Sequence, residues 1–214
     1  METRVQPAEE RIALRRIRWE TYESLLTDLA ECSAPRLAYH RGTLEVMSPF
    51  AGHEAANHTL ALLVELVAES RDLDIANLGC TTFKREDLAC GFDPDSCFYI
   101  LSAGRIRGRA QIDLTVDPPP DLVIEINIGC ASLPKLPIYA QLGVPEVWRY
   151  DGEALAILAL AGGVYHESNE SVALPGLDRA TLSAFMQDSQ SLKRTEWVQK
   201  LRAWARSHGP HLNP

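Results

Sequence analysis

The sequence has no apolar stretch approaching the roughly 20 residues needed to span a bilayer, so a membrane-spanning helix is excluded. Its first ten residues, Met1-Glu-Thr-Arg-Val-Gln-Pro-Ala-Glu-Glu10, have no apolar signal core, and secretion is not expected. Cysteines are few: Cys32, Cys80, Cys90, Cys97 and Cys130. They are odd in number and show neither a C-x-x-C pair nor another zinc-ligand spacing. Reduced thiols in a cytoplasmic protein are the expectation. Positive charge is also in short supply, with 21 Lys and Arg against 29 Asp and Glu for a net charge of −8. That balance argues against a strongly basic nucleic-acid surface. Any affinity for nucleic acid should be modest and sensitive to salt. Internal repeats and low-complexity segments are absent as well.

What is present is an ordinary globular chain of 214 residues with 46% hydrophobic and 23% charged content. That length supports one domain with a substantial core and short extensions. The chain is organised around Asp121 to Asp151. Leu122, Val123, Ile124 and Ile126 form an apolar run interrupted only by Glu125, the pattern of a buried central strand. A carboxylate in such a run is costly to bury unless a metal or a cation compensates it. Ile138-Tyr-Ala-Gln-Leu142 reads as a helix ended by Gly143, with Pro145 just beyond. Glu146 to Tyr150 reads as the next strand. This strand–helix–strand unit implies a parallel crossover with Glu125 near its mouth.

Elsewhere, Arg11 to Arg18 is a basic amphipathic stretch, and Tyr22, Leu25, Leu26 and Leu29 recur at helical spacing. Cys32 to Pro35 is a loop. Arg36–His40 and Thr43–Ser48 alternate as the arms of a hairpin. His53 to Glu69 has a helical period, and His53 falls on its apolar side. Ile75–Phe83 and Ser96–Leu101 are expected strands, with the charged turn Lys84 to Asp87 between them. Arg105, Arg107 and Arg109 alternate, which puts all three on one face if the segment is extended. Ala154–Ala161 and Val164–Glu167 form a hairpin around Gly162-Gly163. Leu177–Gln187 and Leu192–Ser207 close the chain as helices, the last with Trp197, Leu201 and Trp204 on one stripe. The domain reading is an extension over 1–18, a main α/β domain over 19–187, and a terminal helix over 188–214 that packs on the domain or on an oligomer partner.

Asp95 and Glu125 offer hard oxygen ligands at strand ends, which suit magnesium or manganese rather than zinc. A metal there could polarise a phosphate and activate a water, and a lysine alongside would offset charge developing on the phosphorus oxygens. Pro94-Asp95, Asp121-Leu-Val-Ile-Glu125, Lys135-x-x-x-Tyr139 and Gly143-Val-Pro-Glu-Val-Trp148, with Met47-Ser48-Pro49 and His53-Glu54 ahead of them, resemble the Uma-two family of restriction-endonuclease-like proteins, in the PD-(D/E)XK nuclease superfamily. The resemblance runs from about Trp19 to Phe185. It implies a restriction-endonuclease-like α/β fold, with a central mixed sheet flanked by helices, and a Mg²⁺-dependent (or Mn²⁺-dependent) endonuclease acting on nucleic acid, DNA first. It implies Asp95 and Glu125 as metal ligands, Lys135 as the charge-stabilising residue and His53 as a residue orienting water or substrate. Two positions after the second acid, where the standard signature has lysine, this chain has Asn127. Lys135 matches the lysine that members of the family carry on the following helix, and Pro134 and Pro137 around it predict a late helix start.

The residues also admit plainer readings. Asp95 after Pro94 suits the start of a strand from a turn, Lys135 suits a solvated surface, and His53 suits a satisfied core position. Arg105, Arg107 and Arg109 are the best candidates for phosphate contact, or else the charges protecting an edge strand. His53-Glu54-Ala-Ala-Asn57-His58 nearly spells H-E-x-x-H, but the second histidine comes one residue late and its imidazole lies about 140° from the first. Zinc proteolysis is rejected. The alternative to a nuclease is a catalytically inactive nucleic-acid-binding or protein-interaction module on the same fold. A homodimer is compatible with either.

Overall fold

The computed structural model describes residues 10–30, 35–128 and 133–208. Most of the expected loop at Cys32–Pro35 lies outside the described residues, as does Cys130. In chain order the elements are β1 (Glu10–Arg15), α1 (Trp19–Asp28), β2 (Arg36–His40), β3 (Thr43–Ser48), α2 (Ala51–Ser70), β4 (Ala76–Asn77), β5 (Phe83–Arg85), β6 (Cys90–Phe92), β7 (Ser96–Tyr99), α3 (Ala103–Ile106), β8 (Leu122–Ile126), α4 (Leu136–Leu142), β9 (Glu146–Tyr150), β10 (Leu155–Ala161), β11 (Val164–Ser168), α5 (Arg179–Ser191) and α6 (Arg194–Ser207).

They form two sheets. One is antiparallel, in the order β1-β3-β2-β6-β5; the other is mixed, in the order β11-β10-β9-β8-β7-β4. In the second, only β8 and β9 run parallel, in the register Glu125↔Arg149, as the helical crossover between them requires. Every residue of β8 is buried, and a strand's period of two sorts them onto two faces. Leu122, Ile124 and Ile126 pack with α2, α5 and α6. Val123 faces the opposite layer, where Ile138, Tyr139 and Leu142 of α4 meet Phe83 and Phe92 of the first sheet. Glu125 shares the face of Val123, so it points at α4.

The crossover helix is held at both ends by its own sequence. Pro137 occupies its first turn, Lys135 is its N-cap, and Gly143 ends it with φ 79°. The Val144 N–H donates to Tyr139 C=O at 3.0 Å and Gly143 N–H to Ala140 C=O at 3.1 Å, which completes a Schellman motif. Glycine is favoured there because a Cβ is strained at positive φ. At the other layer, α1 covers the first sheet through Tyr22, with Leu37, Tyr39 and Leu44 beneath it. Trp197 and Leu201 of α6 are buried, and Trp204 packs partly buried beside them, so the apolar stripe of that helix is used inside the chain. Among the described residues no helix is long and apolar enough to cross a membrane.

Three expectations are corrected. Ile75–Phe83 is not one strand: β4 and β5 belong to different sheets, because Asn77 Oδ1 accepts the Gly79 N–H at 2.9 Å and turns the chain. The segment carrying Arg105, Arg107 and Arg109 is not extended. Ala103 and Ile106, three apart, are both buried in the core and wind it into a helical turn. Arg105 lies within that turn and the other two follow it: Arg107 pairs with Asp74, and Arg109 with Asp117 at 3.4 Å. Finally, the basic stretch set apart in 1–18 contributes β1, which pairs with β3 through Arg11↔Met47 at the edge of the first sheet.

Candidate functional site

Asp95 sits just before β7, opposite the end of β8 in the register Ser96↔Ile124. Its carboxylate is withdrawn from solvent and fully used. Oδ2 accepts the Ile126 N–H at 2.6 Å. Oδ1 pairs with the Arg36 guanidinium and lies 2.9 Å from His53 Nε2. That nitrogen also lies 3.0 Å from Arg36, but a single tautomer cannot both donate to Asp95 and accept from Arg36. Because Arg36 already donates to Asp95, the proton is assigned to Nε2, facing the carboxylate. His53 and Asn57 are one turn apart on α2, so both face Asp95. Asn57 Nδ2 donates to the Asp95 carbonyl at 3.0 Å. Arg36 reaches out to Glu54 at 2.5 Å. His53 is 0% exposed and sits between Asp95 and Arg36.

Glu125 is held differently. Lys135 Nζ donates to its two oxygens at 3.2 and 3.0 Å, and the Tyr139 hydroxyl donates to Oε1. Burial pushes the Tyr139 hydroxyl well above the ordinary phenol range, and the neighbouring Glu125 charge raises it further, so it stays a donor. Other buried carboxylates in the chain cap backbone or core groups: Asp121 takes the N–H groups of Ile100 and Ser102, and Glu146 takes those of Val172 and Ala173. Glu125 borders a cavity about 380 Å³ in volume, with Arg11, Asn127, Lys135, Tyr139 and Arg149 in its lining. Asp95 borders a different one of about 390 Å³, with Arg36, Glu54 and Asn57. The structure thus brings Glu125 to Lys135 and Asp95 to His53, as two pairs on neighbouring strands.

A family model named Uma2 and described as "Putative restriction endonuclease" matches residues 19–195. The chain belongs to the Uma2 family. This Uma2 protein has the mixed α/β class read from its sequence, with a mixed sheet flanked by helices and a second, antiparallel sheet. The solved structure of a "putative nuclease belonging to DUF820" from Anabaena variabilis ATCC 29413 is similar at 14% identity and a TM-score of 0.49, covering 84% of this chain and 98% of that one. No curated protein matches the chain.

For a Uma2 protein the donor set can be tested against a divalent cation. Glu125 supplies hard oxygens at the cavity, and Asn127, also in its lining, has its Oδ1 buried without a hydrogen-bond partner among the described residues. Magnesium binds through one or two carboxylates plus water and substrate phosphate, so this pair of residues fits it. Among the described residues no group of three or more His, Cys, Asp or Glu could hold a metal ion by itself.

Sequence reasoning missed Arg36, Asn57 and Glu45. Glu45 on β3 is 1% exposed and accepts the Leu133 N–H at 3.0 Å and Arg11 at 3.1 Å, fixing the chain two residues before Lys135. Its signal was available: like Glu125, it is a carboxylate between apolar strand residues, Leu44 and Val46. Arg36 and Asn57 carried no local signal, since their partner Asp95 is remote in sequence.

Proposed function

We propose that this Uma2 protein is a divalent-metal-dependent nuclease that hydrolyses phosphodiester bonds of nucleic acid, with DNA as the first substrate to test. The observation that carries the reading is Glu125 paired with Lys135 beside a cavity in the parallel crossover. Family membership supports the same class of chemistry.

In this reading Glu125, aided by the Asn127 oxygen, would hold Mg²⁺ or Mn²⁺, and a bound cation would supply an activated water and polarise the phosphoryl group. Lys135, which donates to Glu125 at 3.2 and 3.0 Å, would place its ammonium beside the phosphoryl oxygens on which charge develops. Tyr139 keeps donating to Glu125 and fixes the carboxylate's orientation. Asp95 positions the end of β8 through the Ile126 N–H, and His53 and Arg36 fix Asp95 in turn. The Glu125 site would cut one strand at a time, and cutting both strands in one encounter would call for a homodimer.

The second reading, an inactive nucleic-acid-binding or interaction module, is favoured by one observation: the Asp95 carboxylate is already balanced by Arg36 and lies outside the Glu125 cavity. Calorimetric titration of Mg²⁺ and Mn²⁺ into the wild type and Glu125→Gln, with and without a DNA duplex, separates the two. Binding by the wild type that is lost in the variant supports the nuclease. Absence of binding under both conditions supports the module.

A further inference from the structure

The cavity beside Glu125 is lined by Lys135, Arg149 and Arg11 but by only that one carboxylate among the described residues. Lys135 already balances it. Arg149 is half-buried, stands in register with Glu125 on the adjacent parallel strand, and makes no ion pair among the described residues. Arg11 reaches the same cavity from β1, where Glu45 holds its guanidinium at 3.1 Å and its side chain is 6% exposed. Asp151 feels the Arg149 charge without a direct ion pair among the described residues, which leaves the planar fork to match a phosphate with two parallel hydrogen bonds. The surplus is local, in a chain whose net charge is −8.

We propose that Arg149, with Arg11 lining the same cavity, seats a backbone phosphate next to the one that is cut. The proposal rests on the nuclease reading for its neighbour but not for its binding chemistry. It makes β1 part of the substrate site, although Arg11 lies outside residues 19–195 that carry the family match.

The test is fluorescence anisotropy of a labelled DNA duplex of about 20 base pairs, across roughly 50–200 mM salt, with Ca²⁺ replacing Mg²⁺. Arg149→Gln should weaken binding several-fold and reduce the salt slope by about one, the value of one lost phosphate contact. Arg149→Lys keeps the charge but not the fork, so it should retain the slope while losing affinity. Arg11→Gln should behave as Arg149→Gln does. Because it also frees Glu45, its fold is checked by circular dichroism, and Arg149 carries the decision.

With cleavage of the same duplex measured separately in Mg²⁺ and Mn²⁺, a wild type that binds but does not cleave, with the slope reduced by about one in Arg149→Gln, keeps the seat and refutes the nuclease reading. Cleavage by the wild type together with an unchanged slope in Arg149→Gln refutes the seat and leaves the nuclease standing. A wild type that does not bind the duplex overturns the seat.

Discussion

Replacing Asp95 by alanine should destabilise this protein by about 3–5 kcal/mol, the usual result of removing one partner from a buried charge pair. The carboxylate is 0% exposed and takes the Arg36 guanidinium, itself 8% exposed, together with His53 and the Ile126 N–H. After the substitution Arg36 keeps the His53 ring and, as its counter-charge among the described residues, Glu54, which is 43% exposed and screened by water. The orphaned Ile126 N–H alone is worth about 1–3 kcal/mol. Against a total stability of about 5–15 kcal/mol, the loss is large. In urea unfolding the midpoint should fall by roughly 1–3 M with an unchanged slope. Arg36→Met combined with Asp95→Ala should cost less than the two single changes added together, with a coupling of about 1–3 kcal/mol. If Asp95 were held ready only as a metal ligand, its removal in metal-free buffer would leave stability unchanged. An Asp95→Ala protein as stable as the wild type, or a strictly additive double variant, would refute the paired-carboxylate account.

Tyr139→Phe removes the hydroxyl that donates to Glu125 and should cost about 1.5–3 kcal/mol, as for a hydrogen bond to a charged group. A midpoint equal to that of the wild type would take the tyrosine out of the network. Asp93 is raised above the ordinary aspartate range, chiefly by burial, although Thr82 and the Leu37 N–H bond to it. The folded state therefore holds its proton more tightly than the unfolded chain does. Its contribution to stability is present below the ordinary aspartate range and is lost as pH rises through the folded value. Asparagine can accept from Leu37 and donate to Thr82 without titrating, so Asp93→Asn should gain stability relative to the wild type as pH rises from below the ordinary aspartate range to above it. A difference between the two proteins that stays constant with pH would contradict this.

The crossover was legible because its signals are local. Glu125 interrupts an apolar run of strand length, and Gly143 with Pro145 ends a helix where only a tight connection fits. The hairpins at Arg41-Gly42 and Gly162-Gly163 announced themselves in the same way. Alternation misled at Arg105, Arg107 and Arg109, where burial of Ala103 and Ile106 decided the conformation. β1 was not legible as a strand, because five of its six residues are exposed and its place depends on backbone pairing with β3. The candidate site divided along the same line. Glu125 and Lys135, ten residues apart, could be joined from the sequence. The confinement of Asp95 by Arg36 and His53 could not, because it depends on how α2 and β2 lie across the end of β7.

The most direct test of the central claim is cleavage of a DNA duplex at low salt, in Mg²⁺ and separately in Mn²⁺, by the wild type and by Glu125→Gln. Glutamine preserves the shape and the acceptor for Tyr139 while removing the charge. The account predicts cleavage by the wild type and a loss of at least about 100-fold in the variant, the scale of losing one electrostatic element of a catalytic site. Equal cleavage by both proteins, or none by the wild type with either metal, would contradict it.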